Sequence, residues 1–346
     1  MISVIIPVFN GENFIERAVL SVIKQTYCDI ELIVVNDGST DRTQQILESL
    51  WKQYKPKGKL ITINNSGSSH ARNVGLDNIS GEYFCLLDAD DYLEITIFEN
   101  IFKKFKNFDV CYYGYRDIDE NGLVVMKYDD VFHYIDNISG PDSAILKLKK
   151  KIWMCHGNAV FSRQILEDNK IRYIDGINHG EDLYFIIMML ASSNVVRCLD
   201  VIGENITVRS SSVMHSEYNS SFLGSIVSID YMKKNILRIN NACQNKELLE
   251  LIDKEKMEQI CYVAKKVISS KNLSFVDKYK SISKASNNGF KFLFCVKHRV
   301  SLSKFIEYFL LRNSITLYIM SVTFYTSART LKVKFKNYFR KDKSCL

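Results

Sequence analysis

The sequence is poor in the residues that mark fibrous and repetitive proteins. It has 3 prolines and 15 glycines in 346 residues, and no tract repeats. Collagen, solenoid arrays and Gly/Ser linkers are therefore excluded. Because 47% of the residues are apolar, the chain can bury one large core, or one core and a smaller appended unit, and wholesale disorder is excluded as well.

Disulfide frameworks and zinc clusters are not expected. The 9 cysteines are scattered from Cys28 to Cys345 without a CxxC pair, a pattern typical of reduced thiols. The opening residues MISVIIPVFN lack the basic segment and small-residue cleavage site of a secretory signal. A cytosolic protein is the simplest interpretation.

Charge is distributed unevenly. Residues 1–230 carry 22 Lys/Arg against 31 Asp/Glu, a net charge of −9, whereas residues 231–346 carry 24 against 8, a net charge of +16. A basic region can face nucleic acid, an anionic membrane or an acidic glycan, or it can simply be a solvated helical surface. Composition alone does not choose among these.

The first hundred residues alternate strand and helix signals, as the βαβ units of a parallel sheet require. Four strands are predicted, at 3–9, 31–35, 59–63 and 83–87. Beyond about Ser216 the pattern becomes helical and lysine-rich. The predicted architecture is an α/β domain with a doubly wound, mostly parallel sheet over residues 1–215, followed by a helical basic extension over residues 216–346.

Acidic side chains occur where predicted strands end and where a helix begins. They lie in NDGSTD (Asp37), in LLDADD (Asp88, Asp90 and Asp91) and in GED (Glu181 and Asp182). Any one of them alone is typical of a turn or a helix cap. Adjacent carboxylates after a buried strand repel one another unless a cation neutralises them, and Mg²⁺ or Mn²⁺ does so while leaving positions for diphosphate oxygens. The combination predicts a metal-assisted site at the carboxyl ends of the strands.

The same residues resemble a known family. The run SVIIPVFNGENFIERAVLSVIKQTYCDIELIVVNDGSTDRT, then NNSGSSHARNVGLDNISGEYFCLLDADDYL and later GEDLYF, are similar in order and spacing to glycosyltransferase family 2, which has the GT-A fold. The resemblance covers roughly residues 1–215. It implies an enzyme that transfers a sugar from a nucleoside-diphosphate donor, with UDP-sugars favoured, to a glycan or lipid-linked acceptor in bacterial surface-polysaccharide assembly.

The resemblance also implies roles for donor-binding residues. Pro7 and Phe9 would lie in the loop that holds the nucleobase, and Asp37 would bind the imide N–H of the base. Asp88 would bind ribose hydroxyls. Arg72, in the HARN segment, would contact the diphosphate or the donor sugar, where a planar fork of donors suits anionic oxygens.

Metal and base roles follow in the same way. Asp90 would hold the Mn²⁺ or Mg²⁺ ion, and Asp91 would assist at the donor sugar or the metal. His215 lies where some GT-A enzymes place a further metal ligand, although a surface or core histidine is the more ordinary interpretation. Asp182 would be the catalytic base of an inverting displacement, with Glu181 as its nearest rival.

Two departures from the family pattern limit what it implies. Asn36 stands where the family often has a second Asp, so an amide replaces the carboxylate from which the family pattern expects a bond. The Gln-x-x-Arg-Trp motif of processive members is missing after Asp182, because both tryptophans, Trp51 and Trp153, precede it. Transfer of a single sugar is therefore expected.

The carboxyl-terminal region leaves two interpretations open. Its uncharged apolar stretch, residues 313–328, is shorter than the ~17–25 residues that span a bilayer. RTLKVKFKNYFRKDK then mixes basic and aromatic residues, which suits the surface of an anionic membrane. A packed terminal helix with a solvated lysine face has the same pattern.

Other functions fit the sequence less well than sugar transfer. A catalytically silent protein that binds nucleotide sugars or glycans is the alternative, but it has no need of a catalytic base such as Asp182. A nucleotidyltransferase would need a Gly-rich phosphate loop with a lysine near the amino terminus, and the sequence has none. A nucleic-acid partner is not expected, since no binding motif is present and the acidic region would repel phosphate.

Overall fold

The computed structural model describes residues 1–209, 217–239, 242–270 and 272–287, and residues 310, 314, 315, 317–319, 321 and 322. The chain divides into two compact units. Met1–Ser216 and Ser228–Ile252 form the first, and Glu217–Val227 with Asp253–Leu346 form the second. The predicted boundary at residue 215 between a catalytic domain and a helical region stays a prediction.

The first unit is built on a nine-stranded sheet with the order β3-β2-β1-β4-β8-β6-β9-β5, and β7 pairs with β6 off this path. Its strands are β1 (Ile2–Val8), β2 (Ile30–Asn36), β3 (Gly58–Thr62), β4 (Tyr83–Leu86), β5 (Tyr92–Leu93), β6 (Val110–Ile118), β7 (Val124–Lys127), β8 (Ala159–Ser162) and β9 (Val196–Thr207). The four strands predicted from the sequence are β1 to β4. The predicted α/β fold class is confirmed.

Seven helices of the first unit connect these strands: α1 (Ile15–Ile23), α2 (Thr43–Tyr54), α3 (Ser68–Leu76), α4 (Ile97–Lys104), α5 (Gly140–Leu148), α6 (Arg163–Asp168) and α7 (Glu181–Ser192). The pairings β1–β2, β1–β4 and β2–β3 are all parallel. The carboxyl ends of these strands therefore meet at one edge of the sheet, where open α/β sheets bind ligands.

The second half of the sheet is mixed. β8 lies antiparallel between β4 and β6, whereas β9 runs parallel to β6. The two-residue strand β5, which follows the Asp88–Asp91 turn, pairs antiparallel with β9. This pairing brings the end of β9 to the turn that follows β4, and it therefore brings distant residues into the acidic site.

Side chains of the central strands alternate between two apolar layers. Ile5, Ile33 and Phe84 belong to one layer, and their chain neighbours Val4 and Leu32 belong to the other, as the two-residue period of a strand dictates. Helix α3 approaches β1 closely: a Cβ at Gly75 would lie 2.3 Å from the Cγ2 atom of Ile5. Both faces of the sheet are thus covered, and its strand ends remain for ligands.

The second unit has an apolar core of its own. Helices α8 (Gly224–Ile236) and α9 (Lys246–Ser269) each contribute residues to both units, and α10 is Phe275–Asn287. Phe222, Met257 and Ile282 are among its buried core residues. The predicted helical carboxyl-terminal extension is confirmed in the part that the structure describes. Within that part, no helix is both long and apolar enough to cross a bilayer.

Candidate functional site

The loop after β2 presents Asp37 as a fixed acceptor. Its Oδ1 accepts a hydrogen bond from Ser66 N (2.7 Å) and its Oδ2 accepts one from Gly67 N (2.9 Å). Gly38 has a φ of +72°, and a Cβ there would lie 2.7 Å from Asn65 N, so a glycine is needed where the two loops meet. Since Gly67 immediately precedes α3, Asp37 also positions the helix that carries Arg72.

Arg72 links the turn after β4 with the start of α7. Its Nη2 donates to Asp88 Oδ1 (2.9 Å), and its Nη1 donates to Glu181 Oε1 (3.3 Å) and lies 4.0 Å from Asp182 Oδ1. The guanidinium also lies 5.5 Å from the centre of the Tyr173 ring. Burial raises the pKa of Asp88, but the charge and hydrogen bond of Arg72, together with smaller contributions that include the Arg209 charge, hold that pKa below its ordinary value.

The carboxylate of Asp90 is paired with a different arginine. Arg209 Nη2 donates to Asp90 Oδ2, while Asp90 O accepts from Arg17 Nη2 (2.7 Å) and Thr207 Oγ1 (2.6 Å). Burial and the negative charge of Asp88 together raise the pKa of Asp90 despite Arg209. The turn therefore has an excess of negative charge that the arginine only partly relieves.

Asp91 points away from the open side of the turn. It is 7% exposed, and its Oδ1 accepts from Thr207 N (2.8 Å). Glu204 on β9 is buried below it, where the Cys155 thiol donates to Glu204 Oε2 (3.2 Å). Burial raises the pKa of Asp91 well above its ordinary value, and the nearby Glu204 charge raises it further. Asp91 thus supports the turn from its inner side.

The start of α7 has one buried and one open carboxylate. Gly180 has a φ of +76° and allows the tight turn into the helix. The Glu181 side chain is 10% exposed and the Asp182 side chain is 51% exposed. Burial, with the adjacent Asp182 charge, raises the pKa of Glu181 to about 8. Asp182 is therefore the more accessible carboxylate of the pair.

His156 is the nearest neighbour of Asp182 from another element. Its Nε2 lies 3.4 Å from Asp182 Oδ1, is buried, and has no hydrogen-bond partner among the described residues. Burial lowers the pKa of His156, which keeps the ring neutral near pH 7. Asn158 is fully buried and donates to Tyr113 O (2.8 Å), so it fixes the segment that carries His156 to β6.

The structure brings together most of the predicted site residues. Asp88, Arg72 and Asp182 form a connected group, and Asp90 and Asp91 lie in the same turn. Pro7 is the next-to-last residue of β1, and Phe9 follows that strand with 48% of its surface exposed. His215, the further metal ligand that the sequence suggested, lies outside the described residues.

Three residues that the sequence did not single out complete the site. They come from β9 or the residues just after it, more than 100 positions away in the sequence: Arg209 and Thr207 contact the turn after β4, and the Glu204 charge raises the pKa of Asp91 there. The register of β5 on β9 brings them there. The sequence offered one signal for Arg209: it lies six positions before His215, which the family resemblance suggested as a metal ligand.

The turn suits a metal ion that the substrate helps to bind. Among the described residues, no group of three or more His, Cys, Asp or Glu side chains is arranged to hold a metal. Mg²⁺ and Mn²⁺ use one or two carboxylates and take their other ligands from water and substrate phosphates. Asp90, with its pKa raised by burial and by Asp88, fits that minimal role, so the ion would bind together with a diphosphate.

Comparison with known sequences identifies relatives. Residues 3–169 match the family model "Glycosyl transferase family 2". The chain is 25% identical to glycosyltransferase GlyG of Streptococcus pneumoniae over 290 residues, which cover 76% of this chain and 94% of GlyG. It is 42% identical to the uncharacterized glycosyltransferase RP339 of Rickettsia prowazekii over 204 residues, 56% of this chain and 60% of that protein. It spans only 17% of GlyA of S. pneumoniae, at 38% identity over 35% of this chain.

Solved structures with the same fold agree. S. aureus TarS 1–349 in complex with UDP-GlcNAc superposes with a TM-score of 0.70 at 21% identity, over 94% of this chain and 92% of that one. Mannosyltransferase PcManGT of Pyrobaculum calidifontis, in complex with GDP-Man and Mn²⁺, superposes with a TM-score of 0.51 at 14% identity, over 95% of this chain and 86% of that one. The family match and the GT-A-like mixed sheet agree on one conclusion: residues 3–169 of the chain match glycosyltransferase family 2, and the described fold is that of GT-A enzymes.

Proposed function

We propose that the protein transfers a single sugar, with inversion and with the help of a divalent ion, from a nucleoside-diphosphate donor to a glycan or lipid-linked acceptor. The observation that carries the proposal is the position of Arg72. One buried guanidinium contacts Asp88 on the donor side and lies 4.0 Å from Asp182 on the other side. The donor diphosphate and a base would therefore meet at opposite faces of the transferred sugar.

Donor binding uses the strand ends. The half-exposed Phe9 can stack on a nucleobase, and Asp37, fixed by two main-chain N–H groups, retains lone pairs for the imide N–H of a uracil. Asp88 is 42% exposed and can accept from ribose hydroxyls. The structures of S. aureus TarS with UDP-GlcNAc and with UDP share this fold, which favours a UDP-sugar as the donor.

Asp90 would hold the Mn²⁺ or Mg²⁺ ion, with Asp91 behind it and His215 as a candidate further ligand. A bound ion would supply Lewis-acid stabilisation of the departing nucleoside diphosphate. The structure of PcManGT with GDP-Man and Mn²⁺ is support at the level of the fold. Arg72 adds a planar fork of donors for the same anionic oxygens.

Asp182 would take the proton of the acceptor hydroxyl as that oxygen attacks the anomeric carbon and the bond to the diphosphate breaks. Its exposure lets it reach the acceptor, and the neutral His156 beside it adds no positive charge there. Glu181 is buried against Arg72 and would position that arginine. Attack from the face opposite the diphosphate inverts the anomeric configuration.

The class of acceptor follows from the family resemblance. Family 2 enzymes of this type build bacterial surface polysaccharides, and the missing processive motif favours addition of one sugar. The nucleotide-sugar donor is expected on the cytoplasmic side of the membrane. Calorimetry with UDP in Mn²⁺ and in EDTA, with a panel of nucleotide sugars tested for hydrolysis, checks donor and metal together.

The expected result is UDP binding that Mn²⁺ strengthens and that Asp90→Asn makes insensitive to EDTA. Equal affinity with Mn²⁺ and EDTA in the wild type would contradict the metal role. Nucleotide-sugar binding without turnover on any acceptor would instead favour the catalytically silent alternative. NMR of the product tests inversion, since retention of the anomeric configuration would contradict the mechanism.

Membrane association is a separate part of the proposal. It rests on the net charge of +16 over residues 231–346 and on the basic, aromatic segment from Lys332 to Lys341, which lies outside the described residues. Each basic residue near an anionic surface contributes about 1 kcal/mol. The protein should float with anionic liposomes and leave them in high salt, whereas a truncation before Arg329 should bind them less. Indifference to lipid charge would contradict this part.

A further inference from the structure

Arg209 is paired with Asp90, the carboxylate that would hold the proposed metal ion. Its Nη2 donates to Asp90 Oδ2, and its guanidinium lies 4.9 Å from the centre of the Phe14 ring. Asp90 is 24% exposed in its side chain and Arg209 is 30% exposed. A cation in this position and a metal ion at Asp90 compete for the same oxygens.

Arg209 donates to the Asp90 carboxylate through one nitrogen, Nη2. Arg209 Nε is buried and has no hydrogen-bond partner among the described residues. Arg197, on β9, differs: its Nε and Nη2 both donate to the Asp136 carboxylate, each at 2.8 Å. Two parallel bonds make an arginine–carboxylate pair strong and specific, so the Arg209 pair is the weaker and more easily exchanged.

Entry of a donor changes the balance between the two cations. Without nucleotide, a metal ion that takes Asp90 must leave Arg209 without its carboxylate, at the cost of that ion pair. A diphosphate brought to the turn offers the guanidinium new anionic oxygens of the geometry that it prefers. When a metal ion binds without nucleotide, Arg209 therefore loses its ion pair and gains nothing in return. When a diphosphate is present, new anionic partners replace that ion pair.

We propose that Arg209 is an exchangeable cation. It pairs with Asp90 when no donor is bound, and it moves to the donor diphosphate when a metal ion binds Asp90. Arg209 thereby makes metal binding and nucleotide binding depend on each other. The inference rests on the proposed metal role of Asp90. Because linkage is reciprocal, the residue should weaken metal binding alone and strengthen nucleotide binding in the presence of metal.

Arg209→Gln tests the exchange without any activity assay. Titration of free Mn²⁺ by electron paramagnetic resonance, with no nucleotide, should show about three- to tenfold tighter Mn²⁺ binding than in the wild type, because an ion pair of this kind no longer competes. Calorimetry in saturating Mn²⁺ should show about tenfold weaker UDP binding, because a charge-assisted contact is lost. The two changes have opposite signs, which a general loss of structure would not produce.

Arg197→Gln is the matched control. It removes an arginine of similar exposure, 27% against 30%, from the strand that directly precedes Arg209, but its partner is Asp136 and not a residue of the site. Its Mn²⁺ and UDP affinities should equal those of the wild type. Arg209→Lys keeps the charge and should restore the weak Mn²⁺ binding.

Asp90→Asn separates this inference from the proposed function. If Asp90→Asn abolishes Mn²⁺ binding while Arg209→Gln binds Mn²⁺ no more tightly than the wild type, the metal site stands and the exchange is overturned. If Asp90→Asn binds Mn²⁺ like the wild type, the metal role of Asp90 fails and the exchange fails with it.

Discussion

The turn Asp88–Asp91 after β4 and the start of α7 are both acidic, but their charges are arranged differently. Each has an inner carboxylate that is buried, Asp91 in the turn and Glu181 in the helix. In the turn, the outer carboxylates are covered by arginines, Asp88 by Arg72 and Asp90 by Arg209. At the helix start, the outer carboxylate of Asp182 is 51% exposed. Its Oδ1 lies 4.0 Å from Arg72 Nη1 and 3.4 Å from His156 Nε2.

This difference separates two tasks. Carboxylates that already hold a cation can exchange it for a metal or for donor hydroxyls, whereas a carboxylate left open can accept a proton. The inner carboxylates set the position of their neighbours, and burial keeps their pKa values raised. Removing an outer group should therefore affect chemistry, and removing an inner group should affect structure and its pH dependence.

The largest expected effect comes from the open carboxylate. Asp182→Asn should reduce sugar transfer by about 10³-fold, because general-base catalysis contributes on the order of 10²–10⁴ in rate. UDP affinity should stay nearly unchanged, since the base faces the acceptor and not the nucleotide. Initial rates with the identified donor, together with calorimetry with UDP, provide the measurement.

Glu181→Gln is the matched inner variant of the Asp182 test. It should keep transfer within about tenfold of the wild type, since a glutamine can still accept from Arg72. If Glu181→Gln lost transfer and Asp182→Asn kept it, the roles of the two residues would have to be exchanged.

Arg72→Lys should disconnect the two regions. A lysine is a single point charge and cannot donate to Asp88 and Glu181 through two separate nitrogens, so we expect a loss of about 10²-fold in transfer. Arg172→Lys is the control, because Arg172 also joins two carboxylates, those of Asp77 and Glu167, at a site with no proposed catalytic role. Equal losses in the two variants would contradict a special role for Arg72.

The stability of the protein should report the buried state of Glu181. Its ordinary pKa is 4.5 and burial raises it to about 8 in the fold. The stability that the neutral carboxyl contributes is therefore fully present below about pH 4.5 and is lost as the pH rises through about 8. Wild type should lose roughly 2 kcal/mol more of its free energy of unfolding between about pH 5 and 8 than Glu181→Gln does.

Urea unfolding at the two pH values measures this difference. Glu16→Gln changes an exposed glutamate in the first turn of α1 and should leave the pH dependence of the wild type unaltered. Identical pH dependence in Glu181→Gln and the wild type would show that Glu181 is ionised in the fold.

The smallest effect is expected at the loop after β2. Asp37→Asn places an amide N–H₂ where Ser66 N or Gly67 N now donates, and UDP affinity should fall about tenfold because one charged hydrogen bond is lost. Asp109→Asn is the control. Asp109 likewise accepts from two successive main-chain N–H groups, those of Asn194 and Val195, but it precedes β6, at the other end of the sheet. Calorimetry should show no change in UDP affinity for Asp109→Asn.

Local sequence patterns were enough for the first half of the fold. The strand signal at 3–9 and the helix signals between the predicted strands are properties of neighbouring residues, and β1 (Ile2–Val8) and α1 (Ile15–Ile23) were found accordingly. The second half was harder to predict, because β8 enters the sheet antiparallel between β4 and β6. Such an insertion depends on which distant strands pair with one another, and the local hydrophobic periodicity does not encode that pairing.

The sequence by itself indicated the resemblance to family 2, the α/β class and the identity of the acidic groups, because these depend on residue types at short and regular spacing. Only the tertiary structure decided which charges meet. Arg72 reaches Glu181 across 109 positions and Arg209 reaches Asp90 across 119, and both contacts depend on strand register and helix packing. Whether a carboxylate is open, covered or buried is set by these long-range contacts, since burial and nearby charge, and not the residue type, fix its protonation and its access to a substrate.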